Sequence, residues 1–208
     1  MFTVFRTDDF NDWLHGLPDG LTHRRLARRL EKAQGGNLGD VRPVGDGVME
    51  MRELFGPGWR RYYVQRGDVL IVMLGGRGKS TQAKDIASAK QLARLIEDEA
   101  MSKTIKLSEL PGFDAAEHLP DDKAIAEYLA VVLEGNDPSA LAGALGTIAR
   151  ARGMTDIANA SGLAREALSK ALRPGAQPRF DTVQRVCAAL GVRLTAVPAE
   201  RMRLPVES

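Results

Sequence analysis

The alternation of apolar and polar positions divides the first half of the chain into short strands and amphipathic helices. Residues 2–5 form an apolar run that predicts a strand, and residues 8–33 follow a helical period that is interrupted at residues 16–20. Three closely spaced strand patterns follow at residues 47–55, 59–65 and 69–74, and a helical pattern covers residues 81–99. The order β-α-α-β-β-β-α predicts an α+β fold, with an antiparallel sheet and packed helices.

The second half of the chain has an almost entirely helical pattern. Helices are predicted at residues 114–118, 121–133, 139–151, 155–160, 164–172 and 181–190, and an apolar stretch at residues 192–197 predicts a terminal strand. No glycine- and serine-rich linker separates the halves, although Met101 lies where a second protein could once have begun. We therefore predict an α+β domain at residues 1–98, a connecting segment at residues 99–138 and an all-α domain at residues 139–208.

The sign of the charge changes twice along the chain. Residues 1–94 contain 16 Lys and Arg against 11 Asp and Glu, residues 95–146 contain 3 against 11, and residues 147–208 contain 10 against 5. This layout predicts two polyanion-binding surfaces and an acidic segment that could cover one of them, although the same charges could simply solvate the surface.

The composition narrows the class of protein further. No apolar run reaches the roughly 20 residues of a membrane span, and the N-terminus lacks the apolar core of a signal peptide. The single cysteine, Cys187, excludes an internal disulfide and a cysteine-based metal cluster. We therefore expect a cytoplasmic protein without membrane contact.

The most specific motif of the first half is an ordered series of basic and glycine-rich stretches. It consists of Glu50-Met51-Arg52, Gly56-Pro57-Gly58-Trp59-Arg60 and Gly76-Arg77-Gly78-Lys79-Ser80-Thr81-Gln82. These stretches resemble the RelE/ParE toxin superfamily, specifically its small HigB-like branch of addiction-module killer proteins, over nearly all of residues 1–98. The resemblance implies either a ribosome-associated mRNA endonuclease or a poison of DNA gyrase.

Cleavage of RNA by such a protein needs no metal or other cofactor if the RNA 2′-hydroxyl attacks the neighbouring phosphate. Cationic side chains then stabilise the charge of the transition state, and we assign Arg60 and Lys79 to phosphate contact, with Arg52 as a supporting cation. Tyr63 is a candidate for base stacking or proton transfer, because no histidine lies near the motif. Arg52 and Tyr63 could instead have purely structural roles.

Residues 154–172 fit a helix-turn-helix. Gly162 would form the turn, and Ile157, Leu163 and Leu168 would form the shared core. The second helix would lie in a major groove, and a plain helical hairpin is the alternative. Side chains that would contact bases or phosphates are Arg165, Glu166, Ser169, Lys170 and Arg173.

The second half also resembles the HigA-like antidote proteins that are encoded beside such toxins. The matching stretches are residues 113–119, 158–172, 180–183 and 188–191, and the resemblance covers essentially all of residues 101–197. It implies an antitoxin that neutralises the toxin and represses its own operon as a dimer on a palindromic site.

We expect the acidic segment at residues 97–137 to pack on the toxin-like domain and to oppose its cationic face. The contact could form in cis or by exchange of halves between two chains. Alternatively, apolar faces could make the contact while charge only steers the encounter. Candidate residues are Phe113, Asp114, Glu117, Asp121 and Asp122.

The sequence thus favours a self-neutralised toxin–antitoxin fusion that acts as a homodimer. Its partners would be the ribosome and mRNA for the toxin half and operator DNA for the antitoxin half. The alternatives are an inactive toxin fold within a DNA-binding regulator, and a toxin that inhibits gyrase.

Overall fold

The computed structural model describes residues 1–78, 80–97, 110–135 and 137–196, which belong to two compact units. The first unit spans Met1–Asp137 and the second spans Pro138–Ser208. The described part of the connecting segment, residues 110–135, therefore belongs to the N-terminal unit and does not form a body of its own.

The N-terminal unit is built on a five-stranded sheet. Its strands are β1 (Thr3–Arg6), β2 (Val41–Gly45), β3 (Val48–Glu53), β4 (Trp59–Arg66) and β5 (Val69–Arg77), in the spatial order β1-β5-β4-β3-β2. Strands β2 to β5 form an antiparallel meander, whereas β1 pairs with β5 in parallel. The expectation of a wholly antiparallel sheet was therefore wrong at β1, which is separated from β5 by two helices and three strands along the chain.

The helices of the N-terminal unit begin at residues suited to capping. They are α1 (Asp8–His15), α2 (Gly20–Gln34), α3 (Gln82–Glu97), a 3₁₀ helix (Ala115–His118) and α4 (Asp122–Glu134). Thr7 and Asp19 accept backbone N–H groups at the starts of α1 and α2, and Asp121 caps α4, whose helix was predicted at residues 121–133.

Each face of the sheet has its own apolar core. On one face, Leu14 of α1 and Leu30 of α2 pack with Met51 and Tyr63. On the other face, residues such as Ala89 of α3 pack with Tyr62 and Val64. Strand β2 escaped prediction because Arg42 and Pro43 interrupt its apolar alternation and its side chains are at most half-buried.

The described residues of the C-terminal unit form helices α5 (Pro138–Arg152), α6 (Met154–Ser161), α7 (Arg165–Ala171) and α8 (Phe180–Ala189). Its buried side chains include Ile148, Ile157, Leu168 and Val186. Residues 192–196 have no regular structure, so the predicted terminal strand was wrong there, and residue 197 lies outside the described residues.

Two classes of feature are missing from the part of the chain that the structure describes. None of its helices is long and apolar enough to cross a membrane. No group of three or more histidine, cysteine or acidic side chains in it is arranged to hold a metal ion.

Candidate functional site

Two of the arginines selected from the sequence lie side by side on the sheet. Arg52 of β3 and Arg60 of β4 are direct partners in the antiparallel register, so their side chains start from the same face of the sheet. Arg52 forms an ion pair with Asp40, whose carboxylate lies 2.6 Å from the guanidinium. The hydrogen bonds from Arg52 hold the pKa of the Asp40 carboxyl below its usual value.

Arg60 is held more tightly than Arg52. Its Nη1 donates to the carbonyl oxygens of Gly78 at 2.8 Å and Gly58 at 3.3 Å, and its Nε lies 3.2 Å from the carboxylate of Glu50. Only 11% of the Arg60 side chain is exposed. The guanidinium therefore ties the loop before β4 to the end of β5, and little of it faces solvent.

Glu50 is the organising residue of this face, although it was not among the predicted site residues. Its Oε1 accepts hydrogen bonds from the Tyr62 hydroxyl at 3.1 Å and from Gln82 Nε2 at 2.8 Å, besides facing Arg60. Burial and the neighbouring carboxylate raise the pKa of Tyr62, so its hydroxyl stays protonated. The signal that was available is the i, i+2 spacing of Glu50 and Arg52, which places both side chains on one face of a strand.

Tyr63 lies on the opposite face of the sheet from Arg52 and Arg60. It pairs with Met49, is 1% exposed, and packs in the core under α1 and α2. Burial raises the pKa of its hydroxyl. The assignment of Tyr63 to base stacking or proton transfer is therefore corrected, because a nucleotide at Arg52 and Arg60 could not reach it.

The position of Lys79, the fourth predicted catalytic residue, lies outside the described residues. Its neighbour Gly78 has a φ of 73°, a backbone conformation that favours glycine. A surface depression adjoins this turn and is lined by residues that include Trp13, Gly76 and Thr81.

The segment at residues 110–135 contacts the N-terminal strands and helices partly through backbone hydrogen bonds. Phe113 N donates to Val4 O at 2.7 Å and Arg6 N donates to Pro111 O at 3.0 Å, so this short stretch lies beside the free edge of β1. The Phe113 side chain is 4% exposed and joins the core beneath α1 and α2. The candidate Phe113 thus makes a buried contact between residues 110–135 and the core beneath α1 and α2.

Arginines of β1 and α2 face carboxylates of this segment. Glu117 lies 2.8 Å from Arg6, and Glu134 accepts both hydrogen bonds of a bidentate contact from Arg25 Nη2, at 2.8 and 3.0 Å. A looser pair joins Arg24 and Glu127 at 4.0 Å. The ion pairs that join residues 110–135 to the rest of the described unit involve these arginines of β1 and α2 and not the Arg52–Arg60 pair, which corrects the expected docking face.

The other acidic candidates have local roles. Asp114 accepts the backbone N–H of Ala116, and Asp121 accepts that of Ala124, so both residues cap helices. Asp122 is an exposed residue in the first turn of α4. Glu127 and Glu134 were missed, although their seven-residue spacing places them on one face of α4.

In the C-terminal unit, α6 and α7 are joined by a three-residue turn. Gly162 adopts a φ of 64°, which its lack of a side chain permits. Arg185 of α8 supports this turn, because its guanidinium donates to the carbonyl oxygens of Ser161 at 2.8 Å and Gly162 at 2.6 Å. Leu168 is buried beneath α7, whereas Leu163 is only half-buried.

Four of the side chains predicted to contact DNA lie on the exposed side of α7, and the fifth, Arg173, follows the end of that helix. With Met154 they line one shallow depression, and all of them are exposed to solvent. These residues are Arg165, Glu166, Ser169, Lys170 and Arg173.

Comparison with known proteins assigns part of the chain to a family. Residues 109–198 match the family described as probable addiction module antidote protein. Two uncharacterized proteins of Haemophilus influenzae are 40% and 42% identical to the chain over 85 residues, which are 41% of this chain and 86% and 88% of those proteins. No solved structure gives a significant match.

The matched region includes both the docked segment and the described helices of the C-terminal unit. It defines the chain first as a component of a toxin–antitoxin system. Through residues 109–198 the chain belongs to the addiction-module antidote family, and this membership suggests an antitoxin role for that part of the chain.

Proposed function

We propose that the chain is a fused type II toxin–antitoxin protein. Its N-terminal α+β domain is a RelE/ParE-like toxin of the HigB-like branch, and a latent, ribosome-dependent and metal-independent mRNA endonuclease. The attached HigA-like antitoxin neutralises this toxin, binds operator DNA through a helix-turn-helix, and represses its own operon as a homodimer in the cytoplasm. The antidote family match supports the antitoxin half, and the ordered motif from Glu50 to Gln82 supports the toxin half.

The observation that carries the proposal is the docking of the antidote segment inside the N-terminal unit. Residues 110–135 fall within the family match, and their backbone pairs with β1 while Phe113 is buried in the shared core. A segment that lies in the same chain as its target has an effective concentration near millimolar, so the docked state dominates without any partner in trans.

In this proposal the cationic face performs electrostatic catalysis. Arg52 and Arg60, with Lys79, stabilise the negative charge that develops on the phosphate when the 2′-hydroxyl attacks it. Arg60 contacts Glu50 and two carbonyl oxygens that all lie within residues 1–98, so an RNA phosphate must compete with these contacts whether or not the antidote segment is docked.

The test compares three lengths of the chain after induction in bacteria. Residues 1–98 are expected to stop growth and to cut translated mRNA, whereas residues 1–137 and the full chain are expected to be harmless, since both retain the docked segment. Lys79→Ala in the 1–98 fragment is the matched control and should abolish cutting while the fragment stays soluble. Arrest by residues 1–137 equal to that by residues 1–98 would refute neutralisation by the segment.

A second candidate is an inactive toxin fold within a DNA-binding regulator. The burial of Tyr63 favours it, because the described residues near Arg52 and Arg60 then offer no tyrosine for proton transfer except Tyr62, whose pKa is raised. A soluble but harmless 1–98 fragment would support this reading. Growth arrest with intact mRNA and induction of DNA damage would instead indicate gyrase inhibition.

A further inference from the structure

The chain contains three histidines, and the structure brings all three to one place. His15 at the end of α1 and His23 of α2 lie on the toxin-like side, and His118 comes from the 3₁₀ helix of the antidote segment. The ring centroids of His23 and His118 are 5.0 Å apart, and the His15 ring lies 5.6 Å from each of them. We call this cluster the histidine junction.

A directed chain of hydrogen bonds runs through the histidine junction. Arg6 Nη1 lies 3.2 Å from His118 Nε2, and His118 Nδ1 lies 2.9 Å from His23 Nε2. A guanidinium can only donate, so His118 Nε2 accepts and the proton of the neutral ring sits on Nδ1. That N–H then donates to His23 Nε2, which must also be unprotonated.

The charged groups around the histidine junction are two arginines and the carboxylates that pair with them. Arg6 pairs with Glu117 on the segment side, and Arg24 faces Glu127, with Asp121 acting on it from farther away. The third ring, His15, directs its Nδ1 to the carbonyl oxygen of Asn11 at 2.8 Å.

The environment holds the two bonded rings in their neutral form. Burial, followed by the charges of His23, Arg6, His15 and Arg24, lowers the pKa of His118 to about 3. Burial, followed by Arg24 and His15, lowers the pKa of His23 to about 4. Both rings are thus forced to stay neutral while the segment is docked.

A metal ion does not fit the junction. The His118 nitrogen that faces His23 carries a proton, and the lone pair of the other nitrogen accepts from the Arg6 guanidinium, so His118 offers no free lone pair to a cation. The described residues also offer no metal-binding group of three or more suitable side chains.

We propose that the histidine junction is a pH-sensitive latch, which releases residues 110–135 from β1 and α2 when the pH falls. A proton added to His118 Nε2 faces the Arg6 donor, and a proton added to His23 Nε2 faces the His118 donor. Each protonation therefore replaces a hydrogen bond with a contact between two donors and adds a buried positive charge. The proposal concerns docking and holds whether or not the N-terminal unit cleaves RNA.

The direction of the effect follows from the lowered pKa values. The pKa of each ring is lower in the docked state, at about 4 for His23 and about 3 for His118, than the ordinary value of 6.5. The neutral rings therefore stabilise docking fully above pH 6.5, and this stabilisation is lost as the pH falls from 6.5 toward the lowered pKa values. Between pH 7.5 and 5.5, each ring that regains an ordinary pKa on release lowers the docking equilibrium constant about tenfold. The two rings together lower it about 100-fold.

Hydrogen exchange of the full chain at pH 7.5 and 5.5, corrected for intrinsic exchange rates, tests the latch. Peptides from residues 112–133 are expected to lose about 100-fold in protection at pH 5.5, while β4 peptides from residues 59–66 stay protected. In the double variant His23→Gln with His118→Gln, the loss should disappear, because glutamine can accept from Arg6 and donate across the contact without titrating. An equal loss in that variant, or no loss in the unsubstituted chain, would overturn the proposal.

A second measurement covers the case in which the double variant does not fold. Since the chain has three histidines, NMR can follow each imidazole through the titration, with single His→Gln variants for assignment. Titration of His23 and His118 near 6.5, while the segment remains protected, would also overturn the latch. His15→Gln is the control substitution and should keep most of the pH dependence of segment protection, because burial lowers the pKa of His23 and His118 more than the charge of His15 does.

Discussion

The carboxylate of Glu50 lies 3.2 Å from the guanidinium of Arg60, and both groups are largely withdrawn from solvent. This pair joins β3 to β4, and Glu50 continues the connection to the start of α3 through Gln82. A buried charge without its partner costs far more than the pair contributes, so the face depends on both charges being present.

Glu50→Gln is therefore expected to destabilise the N-terminal unit by about 3 kcal/mol or more, because it preserves shape but leaves Arg60 without a counter-charge. Urea denaturation followed by tryptophan fluorescence checks this, since both tryptophans, Trp13 and Trp59, lie in that unit. Asp40→Asn, which breaks the more exposed pair with Arg52, is the control and should leave the midpoint almost unchanged. A small effect of both substitutions would contradict the organising role of Glu50.

Phe113→Ala is expected to weaken docking of the antidote segment. The ring is 4% exposed in the core of the N-terminal unit, and removal of a buried aromatic side chain costs about 3 kcal/mol or more. Leu133→Ala is the matched control, because Leu133 of α4 is 44% exposed and should cost well under about 1 kcal/mol. Hydrogen exchange of residues 110–135 in the full chain measures both variants, and equal protection in the two would exclude Phe113 as the anchor.

Two glycines of α5 are expected to respond to alanine in opposite directions. A Cβ on Gly146 would lie 2.5 Å from the Leu172 carbonyl oxygen, so Gly146→Ala forces helices apart and should cost about 1–3 kcal/mol. A Cβ on Gly143 would lie 3.7 Å from Pro174, an ordinary contact, so Gly143→Ala should stabilise the helix by about 0.5–1 kcal/mol.

The reactivity of the Cys187 thiol measures how often the C-terminal unit opens. The thiol is 2% exposed on α8, and burial raises its pKa, so it reacts when the unit opens. Labelling should be faster in Gly146→Ala and slower in Gly143→Ala than in the unsubstituted chain. Similar rates in the two variants would mean that α5 and the residues before Pro174 are not in close contact.

Lys170→Ala and Arg165→Ala are expected to weaken binding of the full chain to DNA from upstream of its own gene. If Lys170 contacts a phosphate, its loss lowers affinity for all sequences and reduces the salt slope by about 1, whereas a base contact at Arg165 would relax specificity at one position. Lys123→Ala on α4 is the control, because its exposed side chain lies outside the C-terminal unit. Unchanged binding in both α7 variants would indicate that α6 and α7 form a hairpin without a DNA contact.

Most helices could be predicted from the sequence, whereas the strands whose position depends on pairing with distant residues could not. Caps and periodicity are local, so Asp121 and Gly162 identified the start of α4 and the turn before α7 correctly. The parallel pairing of β1 depends on residues more than 60 positions away and leaves no local signal. Strand β2 is a half-buried edge whose pattern contains Pro43.

The candidate site illustrates the same limit at the level of single residues. Arg52 and Arg60 were grouped with Tyr63, but alternation within β4 by itself places Tyr63 on the opposite face from Arg60, and only the pairing of Arg52 with Arg60 depends on the register of β3 and β4. That register depends on the length of the turn at residues 54–58, which the sequence indicated only to within one or two residues. The exposed side of α7 was easier to predict, because every helical turn repeats the same geometry.

The division of the chain at residues 137 and 138 has a consequence for its breakdown in the cell. A processive protease that starts at the C-terminus would unravel α8 to α5 first, and would then meet a separately folded body that still includes the antidote segment on β1 and α2. The remnant would have lost α7 but would keep residues 110–135 docked. Under the proposed function, degradation would thus relieve transcriptional repression without activating the toxin, and new full-length chains would be made before any active enzyme was released.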